Sequence, residues 1–279
     1  MVMKKLIAAA LTGAMAAAFC VPAMAEEDGK LVMATNATFP PYEYYDADKQ
    51  IVGIDVEVAG LIAEKLGLEL EVSDMEFDSI IAAVKQGKAD IGMAGITITE
   101  ERKKNVAFSD TYTKATQMII VQEGSAIASP DDLKDVKIGV QTGTTGDLYV
   151  SDLSEDGVEV MQFSKGIDAV IALTQGKVDA VVIDGEPAKV FVEGNEGLVL
   201  LDEAFTEEEY AIAVAPENEE LLEQINTALA ELEESGELQA VVDKYISSDS
   251  AEEETTEAAT EAAEEETTEA AETETTEAE

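Results

Sequence analysis

One stretch of this chain occurs twice. Ala83-Val84-Lys85-Gln86-Gly87-Lys88-Ala89-Asp90 is matched by Ala172-Leu173-Thr174-Gln175-Gly176-Lys177-Val178-Asp179, on the shared pattern A-x-x-Q-G-K-x-D. Each copy reads as the end of an apolar helix, a glycine that stops it, and then an apolar strand, Ile91-Gly92-Met93-Ala94 or Ala180-Val181-Val182-Ile183. Helix–glycine–strand junctions in general drift toward such a pattern. Here the identities fall at matching places in the same unit, which favours two similar α/β lobes over coincidence.

The elements around the repeat fit two lobes. Leu31–Thr35, Leu68–Val72 and Ile91–Ala94 read as strands of the first, with helices over Val56–Leu66 and Phe77–Gln86. Lys137–Val140, Val158–Met161 and Val178–Ile183 read as strands of the second, with a helix start at Ser129-Pro130 and a helix over Ile167–Gln175. A strand at Ala211–Val214 and helices at Glu219–Leu232 and Leu238–Tyr245 remain, too little for a third domain. The simplest solution sends the chain back to finish the first lobe. The expected division is residues 29–115 with 211–246 as lobe 1 and 116–210 as lobe 2. Two crossings between lobes make a hinge and a cleft.

The two ends are different material. Lys4 and Lys5, the apolar run Leu6–Val21 and Ala23-Met24-Ala25 form a secretory signal with cleavage expected after Ala25. A membrane anchor is the rival, against which the run is short and broken by Pro22. Lipidation of Cys20 is another, against which Phe19 stands where a small residue is needed. Residues 247–279 are a Glu/Thr/Ala run without a basic residue and with nothing large to bury, so disorder is expected. The whole chain has 61 acidic and 17 basic residues and a net charge of -44, which excludes nucleic acid as a partner. It contains no His and one Cys, so His-based catalysis, an internal disulfide and a Cys or His metal site are ruled out. No cofactor motif is present, and no metal or cofactor is expected.

Arg102 is the only arginine among those 17 basic residues. A guanidinium grips a carboxylate with two parallel hydrogen bonds, which an ammonium cannot do. It follows the run Ala89–Gly95, a buried strand and its exit, and Thr97 and Thr99 supply hydroxyls beside it. Thr99 is placed to cap a short helix, which would set Arg102 near a helix start at the carboxyl end of a strand, where α/β folds bind ligands. From the residues alone, a surface arginine paired with one of many acids is the plainer account. Asn36–Tyr45 is an irregular aromatic loop after a strand, held so by Pro40 and Pro41. Gln141–Asp147 is a glycine- and threonine-rich turn into a helix. It lacks the Gly-Lys of a P-loop and reads as a plain strand-to-helix turn.

Taken as a set, Phe39-Pro40-Pro41-Tyr42-Glu43, Val52-Gly53-Ile54-Asp55, Gly87-Lys88-Ala89-Asp90, Ala94–Arg102, Phe108-Ser109-Asp110-Thr111-Tyr112, Gly139–Thr145 and Val178-Asp179-Ala180 resemble the extracellular solute-binding proteins of polar amino-acid ABC transporters, the glutamine- and histidine-binding group, over about Lys30 to Tyr245. The resemblance implies the type II periplasmic-binding-protein fold: two α/β lobes joined by two crossing strands and closing over one ligand. It implies that Arg102 grips an α-carboxylate, aided by Thr97 and the Thr144-Thr145 turn. Gly95 would accept from the α-ammonium through its carbonyl, and Asp184 would pair with that ammonium. Phe39 and Phe77 would sandwich the ligand side chain, with Asn36, Gln141 and Ile183 at its far end.

The implied protein is a monomer held in the periplasm or on the outer face, and it delivers one free amino acid to a membrane permease. Basic-amino-acid relatives usually place an acid at the position of Asn36, so a neutral polar ligand is expected. Ile183 stands where glutamine-binding relatives have a polar group, so strict glutamine specificity is not. The alternative on the same fold is a dehydratase of arogenate or prephenate type, an enzyme needing a general acid in the cleft, for which Glu186 is the nearest candidate. A sensor domain is a third reading and would require further membrane or kinase segments.

Overall fold

The computed structural model describes residues 29–246. The expected signal peptide with Cys20 and the expected acidic tail lie outside the described residues. In chain order the strands and helices are β1 (Lys30–Thr35), β2 (Thr38–Phe39), β3 (Glu43–Tyr45), β4 (Ile51–Val52), α1 (Ile54–Leu66), β5 (Glu69–Asp74), α2 (Phe77–Lys85), β6 (Ile91–Gly92), β7 (Ala107–Gln122), β8 (Lys137–Gln141), α3 (Thr145–Asp152), β9 (Glu159–Phe163), α4 (Gly166–Thr174), β10 (Ala180–Asp184), α5 (Gly185–Glu193), β11 (Leu198–Leu200), β12 (Thr206–Val214), α6 (Glu219–Ser235) and α7 (Glu237–Tyr245).

The main sheet runs in the order β5-β1-β6-β12-β7-β10-β8-β9, with β11 also on β7, and β2, β3 and β4 form a small separate sheet. Parallel β5-β1-β6 makes one half and parallel β10-β8-β9 the other. The antiparallel strands β7 and β12 join them, pairing with each other along most of their length. One end of this ribbon meets β6, through Ala213 opposite Gly92, and the other meets β10, through Gln117 opposite Asp184. The crossings are therefore two long strands rather than linkers, and the divisions expected at 115/116 and 210/211 fall inside them. The ladder shifts register between Tyr210 and Ala213, where β7 carries extra residues opposite β12, bulges in β7 at the junction of the halves. Past β12 the chain returns to the first half, where Lys65 of α1 pairs with Glu231 of α6 and Glu57 of α1 meets Lys244 and Tyr245 of α7.

The inner strands β1, β6, β8 and β10 are buried on two faces and are largely apolar, whereas the outer strands β5 and β9 alternate with exposed polar residues. In β10, Val181 and Ile183 pack with Ala169, Val170 and Phe191, whereas Ala180 and Val182 pack with Ile138, Val140 and Val150. In β1, Leu31 and Met33 pack with Ile54, Val58 and Ile62 of α1, and Ala34 lies with Ile80 and Val84 of α2.

The sequence repeat is a structural device. Gly87 and Gly176 both take φ of 66°, the left-handed conformation that ends a helix at little cost to glycine. The lysine after each glycine donates its N–H back to the helix, Lys88 to Ala83 and Lys177 to Ala172, both at 2.9 Å. Asp90 then exchanges two hydrogen bonds with Val32 of β1: its carboxylate accepts from the Val32 N–H at 2.7 Å and its own N–H donates to the Val32 carbonyl. Asp179 does the same with Lys137 of β8, its carboxylate accepting at 2.8 Å. Each aspartate pins a new strand in register to the strand beside it. Asp90→Ala and Asp179→Ala should each destabilise the protein by about 1–3 kcal/mol, about 2–4 °C in Tm per kcal/mol. Thermal melts of the two variants check this, and unchanged melting would show that the repeated aspartate does not hold the register.

Candidate functional site

The parallel strands of both halves end at the seam between them. A small, nearly closed cavity there is walled by Asn36, Phe39, Glu43, Phe77, Ala94, Gly95, Thr97, Arg102, Gln141, Thr144, Thr145 and Asp184. Ten of the eleven residues placed at the site from the sequence border this one space, contributed by both halves; Ile183 does not.

Arg102 is buried, 8% exposed, in a single 3-10 turn, Arg102–Lys104. Thr99 caps the turn as expected, accepting from the Arg102 N–H at 3.1 Å, but no longer helix follows. The guanidinium lies over the Phe77 ring, 5.4 Å from its centre. One N–H donates to the Thr97 carbonyl at 2.7 Å and another to the Gly143 carbonyl across the seam at 3.1 Å. Burial lowers its pKa, opposed by the carboxylates of Glu208 and Asp184, and a guanidinium keeps its charge throughout.

Asp184 stands at the end of β10 and the start of α5 and makes no helix-cap bond with its side chain. Its carboxylate instead accepts from the Tyr210 hydroxyl. Burial, and then the Glu208 carboxylate, push the pKa of Asp184 up to about 7, with Tyr210 and Gln117 pulling the other way. Its neighbour Ile183 turns to the opposite side of the strand, against Gly166 and within the apolar cluster of Phe191. Ile183 is core and does not border the cavity, contrary to its expected place at the far end of the site.

Asn36 and Gln141 meet across the seam, the Gln141 amide donating to the Asn36 side-chain oxygen at 3.0 Å. Each is also tied to its own half, Asn36 to the Met75 carbonyl and Gln141 to that of Ser164. Phe39 stacks on Tyr42 with ring centres 5.8 Å apart and lies tight under Gly95. A Cβ on Gly95 would come within 2.9 Å of the Phe39 ring, and Gly95 takes a positive φ of 55°. The Thr144 hydroxyl is spent on the start of α3, donating to the Gln141 carbonyl and accepting from the Asp147 N–H. The Thr97 and Thr145 hydroxyls both donate to Glu208, at 2.7 and 2.9 Å, so the donor role expected of them is already taken.

Three buried acids in or behind the cavity wall, Glu43, Asp55 and Glu208, were not anticipated. Glu43 is fully buried in the cavity wall, and neither of its oxygens has a hydrogen bond to a donor of fixed position. Burial, and then Asp55 beside it, raise the Glu43 pKa well above the usual carboxylate range. Asp55, pushed up to about 6 by burial, accepts from the Gly95 N–H at 2.8 Å and the Tyr112 hydroxyl at 2.8 Å. Glu208, on β12, is 6% exposed. The sequence hint for Glu43 was its place two residues after Pro41, in a loop that must pack. Glu208 stands in Glu207-Glu208-Glu209, where alternation cannot be read. Glu186 pairs with Lys189 at 2.8 Å and borders a more open depression on the hinge side, not the cavity of Arg102.

The profile of the bacterial extracellular solute-binding proteins, family 3, matches residues 31–248. The chain belongs to that family. This solute-binding protein is 36% identical to the probable histidine-binding protein of Neisseria gonorrhoeae, over 90% of this chain and 98% of the relative. It is 38% identical to the arginine-binding extracellular protein ArtP of Bacillus subtilis (strain 168), over 79% of this chain and 87% of that protein. Among solved structures it resembles an ancestral arginine-binding protein bound to arginine, with a TM-score of 0.76 and 43% identity over 78% of this chain and 98% of that one. The fold is thus the two-lobed type II binding-protein fold, and the family is one of solute binders rather than enzymes, which sets the dehydratase reading aside.

The buried acids make stability depend on pH. Asp184 and Asp55 hold their protons more tightly in the folded protein than in the unfolded chain, where an aspartate titrates near 3.8. Their stabilising contribution is complete below about 4 and is lost as pH rises through about 6 and 7. The Tm should fall across that window, and Asp184→Asn, which cannot ionise, should flatten the upper part of the fall. Melting curves of both proteins from pH 4 to 8 check this. Parallel curves would place the titration elsewhere.

Proposed function

We propose that this protein is the extracytoplasmic binding component of an amino-acid ABC transporter, which closes its two lobes over one free α-amino acid and presents it to a membrane permease. One observation carries the reading: a buried cation, Arg102, and a buried carboxylate, Asp184, belong to opposite lobes and border the same small cavity. A zwitterion matches that pair, and closure removes water from both. In this account Arg102 takes the α-carboxylate, and Asp184 with the Gly95 carbonyl takes the ammonium. Phe39 and Phe77 flank the side chain, beside Asn36 and Gln141. The lobes swing about β7 and β12 near the β7 bulges opposite Tyr210–Ala213. The chain acts as a monomer outside the cytoplasm once cut after Ala25.

The ligand we propose is a cationic amino acid, with arginine the first choice. The neutral ligand expected above was argued from Asn36, Gln141 and Ile183. Ile183 is turned away, and Glu43 adds a buried acid to the wall, with Asp55 and Glu208 behind it. After a zwitterion has matched Arg102 and Asp184, the neighbouring acids Glu43 and Asp55 remain; burial holds protons on them, and a second positive charge placed beside them would favour their ionised forms. Arginine-binding relatives point the same way. The neutral polar alternative is favoured by one feature, the amides of Asn36 and Gln141 facing each other across the seam.

Calorimetry with arginine, lysine, histidine and glutamine separates the two, with arginine expected tightest. Glutamine tighter than arginine by tenfold would return the site to its neutral reading, and no binding of any amino acid would end both. Arg102→Lys should fold normally and lose roughly 30- to several-thousand-fold in affinity, since losing one partner of a buried charge-assisted pair costs roughly 2–5 kcal/mol. Binding within about threefold of wild type, less than ~1 kcal/mol, would remove Arg102 from the site. Because an ammonium needs Asp184 ionised, affinity should rise with pH up to about 7 and then level off, with a proton released on binding below that point. Titrations in buffers of different ionisation enthalpy read the proton directly.

A further inference from the structure

Glu208 does not border the cavity. It lies behind the wall, on the crossing strand β12, and borders the open depression on the hinge side. One of its oxygens, Oε2, gathers three donors from three parts of the molecule. They are the Thr97 hydroxyl of the first lobe at 2.7 Å, the Thr145 hydroxyl of the second at 2.9 Å, and the Gln117 amide of the other crossing strand at 3.3 Å. The other oxygen, Oε1, is buried and has no hydrogen-bond partner. A carboxylate held in this way is costly unless its donors stay assembled. They are assembled only while the lobes lie together, because Thr97 and Thr145 belong to different lobes.

A threonine hydroxyl has a single proton. Both protons point back at Glu208, so each hydroxyl offers only lone pairs toward the cavity. That arrangement suits a cationic donor such as an ammonium and does not suit a carboxylate. Thr97 and Thr145 therefore belong functionally with Asp184 rather than with Arg102.

We propose that Glu208 is a positioning residue of the cleft, a hinge-borne carboxylate that latches Thr97 of one lobe to Thr145 of the other and turns both hydroxyl oxygens toward the ligand's ammonium. The proposal rests on the amino-acid reading of the site for its second half only. Removing the carboxylate releases both hydroxyls and loosens the closed arrangement, and a ligand loses affinity through both effects.

The test is a double-mutant cycle with L-arginine as the probe, together with a measurement of lobe separation that needs no ligand. Glu208→Ala should bind arginine at least tenfold more weakly than wild type. Thr145→Val alone should cost several-fold, yet cost less than twofold when added to Glu208→Ala, because the bond it removes is already gone. Glu208→Gln keeps one acceptor oxygen and should fall between wild type and Glu208→Ala. It also serves as the readout if the alanine variant does not fold. Fluorophores at Lys88→Cys and Lys177→Cys, exposed positions on the two lobes of the processed chain, which then carries no other cysteine, should report a wider separation in Glu208→Ala than in wild type. An affinity within twofold of wild type, losses that simply multiply, or an unchanged separation would overturn the proposal. If wild type fails to bind arginine, the ligand assignment falls, and the separation measurement still decides the latch.

Discussion

A guanidinium kept out of water has to be answered by the groups around it, and the seam of this protein is arranged to answer Arg102. Its hydrogen bonds go to the Thr97 carbonyl on its own side and the Gly143 carbonyl on the far side, with the Phe77 ring beneath. The balancing negative charges, Glu208 and Asp184, come from a crossing strand and from the second lobe. No single lobe supplies enough partners for the buried charge. The site is polar where it is buried and complete only where the lobes meet, so charge burial and lobe closure are one event. Separating the halves would rehydrate the charges but would also break the bonds that span the seam.

The crossing strands give this event its mechanics. β7 and β12 are hydrogen-bonded partners along most of their length, so the halves cannot drift freely. Their ladder is interrupted only between Tyr210 and Ala213. Tyr210 is at the interruption, donates to Asp184, and crowds the place where a Gly95 side chain would stand. Glu208 is two residues earlier on the same face of the strand. The interruption of the ribbon therefore lies beside two side chains that bond to residues of the site, and on the proposed hinge reading a bend there would move a donor to Asp184 and the acceptor for Thr97 and Thr145. The relation between hinge and site follows from alternation along a strand and requires no long-range pathway.

Much of this was legible in the sequence. The repeat marked two similar units because Gly87 and Gly176 need a backbone conformation that other residues avoid, and because Asp90 and Asp179 do the same local work. Arg102 stood out because it is alone among lysines, but from the residues alone a surface arginine was the plainer account, and its place in the site came from the family resemblance. Asp184 was legible only through a family resemblance, since an aspartate between a strand and a helix looks like a cap. What stayed hidden was a matter of facing. Ile183 and Asp184 are neighbours, yet one enters the core and the other the cleft. Glu207, Glu208 and Glu209 are chemically identical, and only pairing with β7 decides that the middle one is buried. Three glutamates weaken any reading of a strand, and tertiary pairing overrides that preference. The small sheet of β2 to β4 that buries Glu43 was likewise not readable from an aromatic loop with two prolines.

The contacts that span the seam also set a limit on affinity. Arg102 is hydrogen-bonded to two carbonyls, Asn36 to Gln141, and Thr97 and Thr145 to Glu208. On the proposed reading, a ligand carboxylate at Arg102 would gain only the difference between its own charge-assisted bonds and the carbonyl bonds it displaces, and ions bond more strongly than neutral acceptors. That difference is what a binding protein needs. Lobes with no contacts of their own would leave the ligand the whole cost of bringing them together, whereas lobes joined too well would shut without it. Carbonyls at Arg102 and an amide pair at Asn36–Gln141 are moderate partners, exchangeable for a charged ligand. The Glu208 carboxylate is a stronger one, and it lies behind the wall, where a ligand in the cavity need not displace it.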